Sequence, residues 1–367
     1  MTAFILNPSC PLRPQVARHG YRMNQHALVS ITIPAYKPDF FETALLSALN
    51  QSWPNCEIII CDDSRDDTIR LLSERYARQA AMPIRYFKNE TQLGEENNVR
   101  RCIQEAQGKY IKFLYDDDII YQECVTRLVA AIEASPMNRL ASCRRTRIDE
   151  AGKPLADINA TAFPFGCDVV LDGADVVAFL GDHQVNFIGE PSTVLCYRDD
   201  LLAYKDELFK LNGESMPFLA DVALYVKLLR HGNLAFVADA LAAFRISENQ
   251  SSQWAREEKY REMINRTYTR FPQLIREMGW YKGNKEENCV VKVAPLNAPE
   301  AFQSDNIIHG MLHATHLSNR HYQSYQIQQW LQQRTLPAQH RGYVDAYAAA
   351  RNIAQTLTVF ILHADRD

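Results

Sequence analysis

Short apolar runs alternate with segments of helical periodicity through the first third of the chain. β-Branched and other apolar residues dominate positions 29–33, 57–61, 83–87 and 109–115. The segments between these runs carry apolar residues every three or four positions, the spacing of an amphipathic helix. Strands that alternate with helices of this length are typical of βαβ units. The pattern predicts an α/β domain with a Rossmann-like, mostly parallel sheet and helices on both faces.

Two of these predicted strands end in carboxylates. Asp62 and Asp63 follow the second run, and Asp116, Asp117 and Asp118 follow the fourth. Each carboxylate raises the cost of ionising its neighbour, so three in a row favour a site for a divalent cation with oxygen ligands. The alternative is a solvated turn in which one Asp caps the next helix. Ligands of α/β sheets bind at the carboxyl ends of strands, so both acidic ends are expected at one pocket.

The order of motifs along the chain resembles that of the bacterial family 2 glycosyltransferases, which have the GT-A fold. The segments that carry the resemblance are residues 33–36, 57–68, 108–118, 186–192, 220–224 and 244–250. The resemblance implies a GT-A domain over residues 29–252, with a nucleotide-sugar half (29–135) and an acceptor half (136–252). Residues 1–28 are then an N-terminal tail, and residues 253–367 a mainly helical C-terminal appendage.

For the acidic triplet, the resemblance implies a nucleoside-diphosphate sugar donor and a divalent cation, Mn²⁺ or Mg²⁺. Asp117 would be the chief metal ligand. Asp116 would face the ribose or the metal, and Asp118 would complete or orient the site. Such cations keep several waters and bind through one or two carboxylates plus phosphate oxygens. Two of the three Asp residues therefore suffice, and the sequence leaves open which two.

The same resemblance assigns residues to the nucleoside and diphosphate. Asp63 would accept a hydrogen bond from a uracil or guanine ring N–H, with a UDP-sugar favoured. Tyr36 would stack on the base or bind its edge, the alternative being a packed aromatic residue, and Pro34 would shape the turn. Asn98 and Arg100 are candidates for the ribose and diphosphate, because a guanidinium suits phosphate oxygens; a solvated helix face is the alternative.

On the acceptor side, Asp221 aligns with the family's acidic motif and is predicted to be the general base that takes the proton of the acceptor hydroxyl. An N-cap role is the alternative. Attack by this hydroxyl on the face opposite the leaving group predicts inversion of the anomeric centre. Glu190 would bind acceptor hydroxyls, or serve as the base if Asp221 does not.

Two departures from the family's pattern lie in the acceptor half. Ala220 stands where the family often has Glu, and Ser247 where many relatives have His, so Arg245 or Asn249 would take over part of the His role. These departures favour a second hypothesis, a non-catalytic nucleotide-sugar-binding module of the same fold. A sugar nucleotidyltransferase is a third, but residues 34–38 lack the Gly-rich, basic signature of those enzymes.

Composition limits the partners. The 367 residues are 47% hydrophobic, enough for a large core, and the net charge of -4 gives no reason to invoke nucleic acid. Nine scattered Cys without a C-x-x-C pair indicate buried thiols in a reducing cytoplasm. The expected partners are the donor and a glycan, lipid-linked or protein acceptor. The apolar stretch 348–363 predicts packing on the rest of the chain or a homodimer contact or, as an alternative, peripheral contact with the inner membrane.

Overall fold

The computed structural model describes residues 26–158, 160–247, 250, 257–281 and 283–311. The α-helices are α1 (Phe41–Leu49), α2 (Thr68–Ala77), α3 (Glu95–Glu105), α4 (Cys124–Glu133), α5 (Gly173–His183), α6 (Arg198–Ala203), α7 (Ala220–Leu229) and α8 (Glu258–Glu277). The strands are β1 (Val29–Ala35), β2 (Cys56–Asp62), β3 (Ile84–Lys88), β4 (Tyr110–Phe113), β5 (Ile119–Ile120), β6 (Asn138–Ile148), β7 (Pro154–Leu155), β8 (Val169–Leu171), β9 (Leu195–Tyr197), β10 (Lys210–Leu211), β11 (Glu214–Ser215), β12 (Asn233–Arg245), β13 (Val290–Pro295) and β14 (Gln303–Asn306). Short 3-10 helices span Pro191–Thr193, Lys205–Glu207 and Glu287–Cys289.

A large sheet with the strand order β14-β13-β8-β12-β6-β9-β4-β1-β2-β3 organises the described residues. Strands β1 to β4 pair in parallel, and so do β6 and β12. Strand β9 joins these two groups and runs antiparallel to both of its neighbours. The two groups therefore point the same way, and their carboxyl ends meet at one edge. The predicted α/β fold with a mostly parallel, Rossmann-like sheet is confirmed.

Helices cover both faces of the sheet, and strand β2 shows why. Ile58 and Ile60 pack into one buried cluster, together with residues of α1 and α4. Ile59 and Cys61 point the other way, into a second cluster that includes α3, α5 and α7. Successive side chains of a strand alternate between faces, so a strand covered on both sides reads as a continuous apolar run. The uninterrupted apolar run at residues 58–61 of β2 is this signature.

The described part of the C-terminal region packs directly on this domain. Helix α8 lies against α5, where Gly181 faces Ile275, and a Cβ atom at position 181 would meet that side chain at 3.0 Å. Strand β13 pairs with β8, so the region extends the sheet as well as adding a helix. The boundary at residue 252 stays a prediction. Residues 1–25 and 312–367, with the apolar stretch 348–363, lie outside the described residues.

No helix within the described ranges combines the length and apolar character that a membrane span requires.

Candidate active site

Asp116 ties the first strand to the acidic turn. Its Oδ2 accepts hydrogen bonds from the backbone amides of Tyr36 at 2.6 Å and Lys37 at 2.8 Å. Both bonds use the same oxygen, so Oδ1 takes no part in them. Burial, and then the negative charge of Asp117, raise the pKa of Asp116 to about 7. The turn after β1 and the turn after β4 are thereby fixed as one unit.

Asp118 and Arg245 fix the other side of the acidic turn. Asp118 Oδ1 accepts a hydrogen bond from the Arg245 amide at 3.1 Å. The buried Arg245 guanidinium donates to the Asp117 carbonyl at 2.8 Å and to two carbonyls of the turn between β6 and β7. Arg245 therefore shapes the turn through its backbone. A direct contact between Arg245 and a ligand stays a prediction.

Asp117 is the partly exposed member of the triplet. Burial raises the pKa of its carboxyl group, while the nearby positive charges of Lys37 and Arg245 act in the opposite direction. The neighbouring Asp116 binds backbone amides that follow β1, and Asp118 binds a backbone amide of β12. No group of three or more His, Cys, Asp or Glu in the described part of the chain is arranged to hold a metal ion.

Asp63 organises the loop between β3 and α3. Its Oδ1 accepts hydrogen bonds from the Asn89 side chain and the Leu93 amide, both at 2.7 Å, and its Oδ2 accepts one from the Gly94 amide at 2.9 Å. Gly94 has a φ of +77°, a conformation that glycine adopts without strain. The loop therefore closes around the end of β2. The base-reading role of Asp63 stays a prediction.

The contacts of Asn98 and Arg100 in the structure are with other protein groups. The buried Asn98 donates to the Cys61 carbonyl at 2.9 Å and accepts from Asn89 at 2.9 Å, so it braces the end of β2. Arg100 forms an ion pair with Asp206 in the acceptor half. Their contacts with ribose and diphosphate stay predictions.

Three other predicted residues lie near the same edge of the sheet. Pro34 sits in β1 opposite Cys61, two residues before the Tyr36 amide that binds Asp116. The Tyr36 side chain is 50% exposed, so the alternative of a packed aromatic residue is wrong. The buried Ser247 donates its amide to the Gln250 side chain at 2.7 Å. What Tyr36 and Ser247 bind stays a prediction.

Asp221 lies in the first turn of α7 and is partly exposed. Its Oδ1 accepts from the Val222 amide at 2.8 Å, and its Oδ2 accepts from the Asn186 side chain at 3.0 Å. Burial, with the negative charges of two nearby Glu residues, raises the pKa of Asp221 to about 7. The helix has Leu219 at its N-cap, so the alternative N-cap role for Asp221 is wrong. A carboxylate with this pKa is suited to general base catalysis near neutral pH.

Glu190 neighbours Asp221 through Asn186. The Glu190 carboxylate forms an ion pair with the buried Arg145, and Arg145 also donates to the Asn186 carbonyl at 3.2 Å. Glu190 is thus paired with the buried, positively charged Arg145, whereas Asp221 accepts hydrogen bonds from neutral donors. This difference favours Asp221 over Glu190 as the base.

We expect Glu190→Gln to lower the free energy of unfolding by about 2–3 kcal/mol, because it leaves Arg145 buried without its counter-charge. Denaturant unfolding at pH 7.5 measures this change. Glu207→Gln is the matched control, since Glu207 pairs with Lys210 on the surface and should cost less than about 1 kcal/mol. Equal stability of the two variants would contradict the structural role of Glu190.

Hydrogen bonds join the segment that carries Glu190 to β4, the strand that precedes the acidic turn. The buried Lys112 of β4 donates to the Ser192 carbonyl at 2.5 Å and to the Phe113 carbonyl at 2.7 Å. The Tyr115 amide donates to Ser192 Oγ at 2.9 Å. Burial lowers the pKa of Lys112. These bonds fix the acceptor-side segment against the donor-side turn.

Sequence reasoning missed Glu95, which links the two sides of the cleft. Its carboxylate is hydrogen-bonded to the Tyr115 side chain. It also lies close enough to Asp117 for the two negative charges to interact. The negative charge of Glu95 also contributes to the raised pKa of Asp221. The position directly after Gly94 was the available signal, but acids are common in the first turn of a helix because they suit its dipole. The contact with Tyr115 exists only in the folded chain.

Residues 30–165 match the model of the family described as glycosyl transferase family 2. The chain is 24% identical over 234 residues to an uncharacterized protein of Mycobacterium tuberculosis, a match that covers 59% of this chain and 67% of that protein. It is 40% identical over 102 residues to chondroitin synthase of Escherichia coli, which covers 27% of this chain and 14% of the synthase.

Among solved structures, the chain is similar to S. aureus TarS in complex with UDP-GlcNAc. The identity is 17% and the TM-score 0.48, with 71% of this chain and 69% of that chain covered.

Proposed function

We propose that this chain, whose residues 30–165 match the model of glycosyl transferase family 2, transfers a sugar from a nucleoside-diphosphate sugar to an acceptor hydroxyl. A UDP-sugar is the favoured donor, and the anomeric centre is inverted. A glycan, a lipid-linked sugar and a protein are the acceptor classes considered. The proposed site of action is the cytoplasm, where nucleotide sugars are available.

One observation carries this proposal. The Tyr115 amide beside the acidic turn donates to Ser192, and Asn186 of the same acceptor-side segment donates to Asp221. Glu95 is also close enough to Asp117 and to Asp221 for their negative charges to interact, which supports one cleft for the candidate metal carboxylate and the candidate base. The two residues are 104 positions apart in the chain (221 minus 117) and belong to different halves of the domain. A sugar donor and an acceptor hydroxyl must meet in such a cleft for transfer to occur.

The donor set fits a divalent cation bound with the diphosphate. Asp117 and the Oδ1 atom of Asp116 are neighbouring hard oxygen donors, and Mg²⁺ or Mn²⁺ needs few protein ligands when phosphate oxygens and water supply the rest. A cation bound there would offset the charge that develops on the leaving diphosphate. The absence of a three-carboxylate cluster in the described residues is compatible with such a shared site.

The acceptor half supplies the proton transfer. As the acceptor oxygen forms its bond to the anomeric carbon, the bond from that carbon to the diphosphate oxygen breaks. One carboxylate oxygen of Asp221 takes the proton of the acceptor hydroxyl. Asn186 holds the carboxylate in place by its hydrogen bond. Glu190, held by Arg145, lines the same side of the cleft and would bind other acceptor hydroxyls.

A thermal-shift panel of UDP-, GDP- and TDP-sugars, each with and without Mn²⁺, tests the donor assignment. Because a ligand that binds only the folded state stabilises it by mass action, we expect a metal-dependent rise in Tm of roughly 5 °C at saturating UDP-sugar. A shift seen only with GDP- or TDP-sugars would change the nucleotide base that is assigned to the donor. No shift with any donor would contradict the proposed site.

A non-catalytic nucleotide-sugar-binding module is the second candidate, favoured by Ala220 and Ser247 at positions where the family often has Glu and His. It predicts the same thermal shift without turnover. Release of free nucleotide from the stabilising donor, with water or an added acceptor, separates the two candidates.

A further inference from the structure

A thiol and an imidazole meet at the end of helix α5, and the proposed sugar transfer uses neither of them. Cys289 Sγ lies 3.1 Å from His183 Nε2. His183 is the last residue of α5, and Cys289 is the last residue of the short 3-10 helix that precedes β13. Among the described cysteines, only Cys167 and Cys289 are not buried. A nucleophile and a base within hydrogen-bond reach are the usual parts of an activated thiol.

The surroundings of His183 hold its ring and favour a proton on the nitrogen that faces the sulfur. The ring stacks on Phe179 of the same helix, with centroids 4.9 Å apart and an interplanar angle of 23°. Nε2 lies 3.0 Å from the Lys285 carbonyl, which can only accept a hydrogen bond. The carboxyl end of a helix carries partial negative charge, which stabilises an imidazolium. The proton that Cys289 shares with His183 is therefore favoured on the nitrogen, which leaves a thiolate on the sulfur.

The charges around Cys289 make this base necessary for reactivity. Burial raises the pKa of the Cys289 thiol, the positive charge of Lys285 acts in the opposite direction, and the negative charges of Asp182 and Glu286 add to the rise. The thiolate, not the thiol, is the nucleophile. Without the imidazole, Cys289 would therefore react slowly near neutral pH.

A metal site is the alternative use of a Cys–His pair. Structural zinc is bound by four protein ligands. The neighbouring Asp182 is not available as a further ligand, because its carboxylate accepts hydrogen bonds from Arg276 at 3.1 Å and from Asn288 at 2.7 Å. No group of three or more candidate ligands is arranged around a metal position anywhere in the described ranges. The pair therefore favours covalent thiol chemistry over metal binding.

We propose that Cys289 is a modification site at which His183 promotes exchange with a low-molecular-weight disulfide. The Cys289 thiolate attacks one sulfur of that disulfide, so a new S–S bond forms and the original S–S bond breaks. The leaving sulfur departs as a thiolate and takes the proton from the His183 imidazolium. One small disulfide is consumed and one small thiol is released, so no other oxidant is needed. The inference is independent of the proposed sugar transfer.

Glutathione disulfide, added to the full chain at pH 7, is the probe. Trypsin cleaves after Lys285 and Lys292, so mass spectrometry follows Cys289 in a peptide that holds no other cysteine. We expect Cys289 to form its mixed disulfide at least about threefold faster in the folded protein than in the urea-unfolded chain, because exchange is fastest when the pKa of the attacking thiol is near the ambient pH. An equal or slower rate in the folded protein would overturn the proposal.

His183→Gln tests whether the imidazole acts on the proton or only on the shape of the site. We expect the exchange rate at pH 7 to fall by roughly tenfold. The wild-type rate should level off above about pH 7, where an imidazole titrates, whereas the variant's rate should continue to rise beyond about pH 8 as an unassisted thiol does. A purely structural role would lower the rate by the same factor at every pH. Parallel pH profiles from pH 6 to 9 would therefore overturn the role of His183.

His231→Gln is the matched control, because His231 is an exposed histidine just beyond the end of α7. It should leave the rate and the pH profile of Cys289 unchanged, and an equal loss of rate in this variant would overturn the role of His183. The Tm of each variant shows whether it is folded. If His183→Gln does not fold, the comparison of the folded and the unfolded wild type decides the proposal.

Discussion

Replacing Asp221 with Asn is expected to reduce sugar transfer by about 10²–10⁴-fold, the usual contribution of a positioned general base. Asn is close to Asp in shape and can still accept the hydrogen bond from the Val222 amide. It cannot accept a proton from the acceptor. Donor binding, measured as the Tm shift with nucleotide sugar and Mn²⁺, should therefore be unchanged. The measurement is the initial rate of acceptor-dependent nucleotide release.

The pH dependence of the wild type follows from the same residue. Its pKa is raised to about 7, and only the deprotonated carboxylate can act as the base. We expect kcat/KM to fall tenfold per pH unit below about pH 7 and to level off above it. Asp221→Asn should lose this inflection. A wild-type rate that stays constant from pH 5 to 8 would contradict the assignment.

Stability should change in the opposite direction to activity. A carboxyl group whose pKa is raised in the folded state stabilises the fold at low pH, and this contribution is lost as the pH rises through the folded-state pKa. At pH 8 the wild type carries the cost of a partly buried charge that Asn lacks. Because Asp221 is partly exposed, we expect a gain for Asp221→Asn of only about 1 kcal/mol, or roughly 2–4 °C in Tm. The gain should shrink toward pH 5.

Glu190→Gln separates the two possible bases. If Glu190 were the base, its Gln variant would lose both the rate and the pH inflection, and Asp221→Asn would retain them. With Asp221 as the base, Glu190→Gln keeps the inflection near pH 7 and loses stability through Arg145.

Replacing Asp117 with Asn is expected to abolish measurable transfer, a loss of about 10³-fold or more. A cation that stabilises a developing diphosphate charge supplies several kcal/mol, and Asn is a much weaker ligand than a carboxylate. The fold should remain, because the turn is held by Asp116, Asp118 and Arg245 rather than by the Asp117 side chain. The checks are nucleotide release and the Mn²⁺-dependent part of the donor-induced Tm shift, and both should disappear.

Asp239→Asn is the control for removing a negative charge. Asp239 pairs with Arg127 at an exposed site, so its replacement should leave transfer and the Mn²⁺ response unchanged. Near-normal transfer by Asp117→Asn together with an unchanged Mn²⁺ response would reject the metal role of this residue. Loss of the Mn²⁺ response with transfer intact would instead indicate that the cation assists binding but not chemistry.

The alternation of apolar runs and helical periods determined the α/β fold, because burial on both faces of a sheet demands continuous apolar strands. The sequence also placed the acids at strand ends, and parallel strands necessarily bring those ends to one edge. These inferences depend on local pattern alone, and the strand order and packing of β1 to β4 agree with them.

Only the tertiary structure decided which way each polar side chain turns. Asp116 and Asp118 are adjacent to Asp117 in sequence, yet each is taken by the backbone of a different strand, which leaves Asp117 partly exposed. Asn98 and Asp63 bond to loop groups that no local pattern reveals. Glu95 approaches Asp117 and Asp221 only through packing between distant segments. The local sequence pattern determines which residues are buried. The direction of each polar side chain and its hydrogen-bond partner depend on long-range packing.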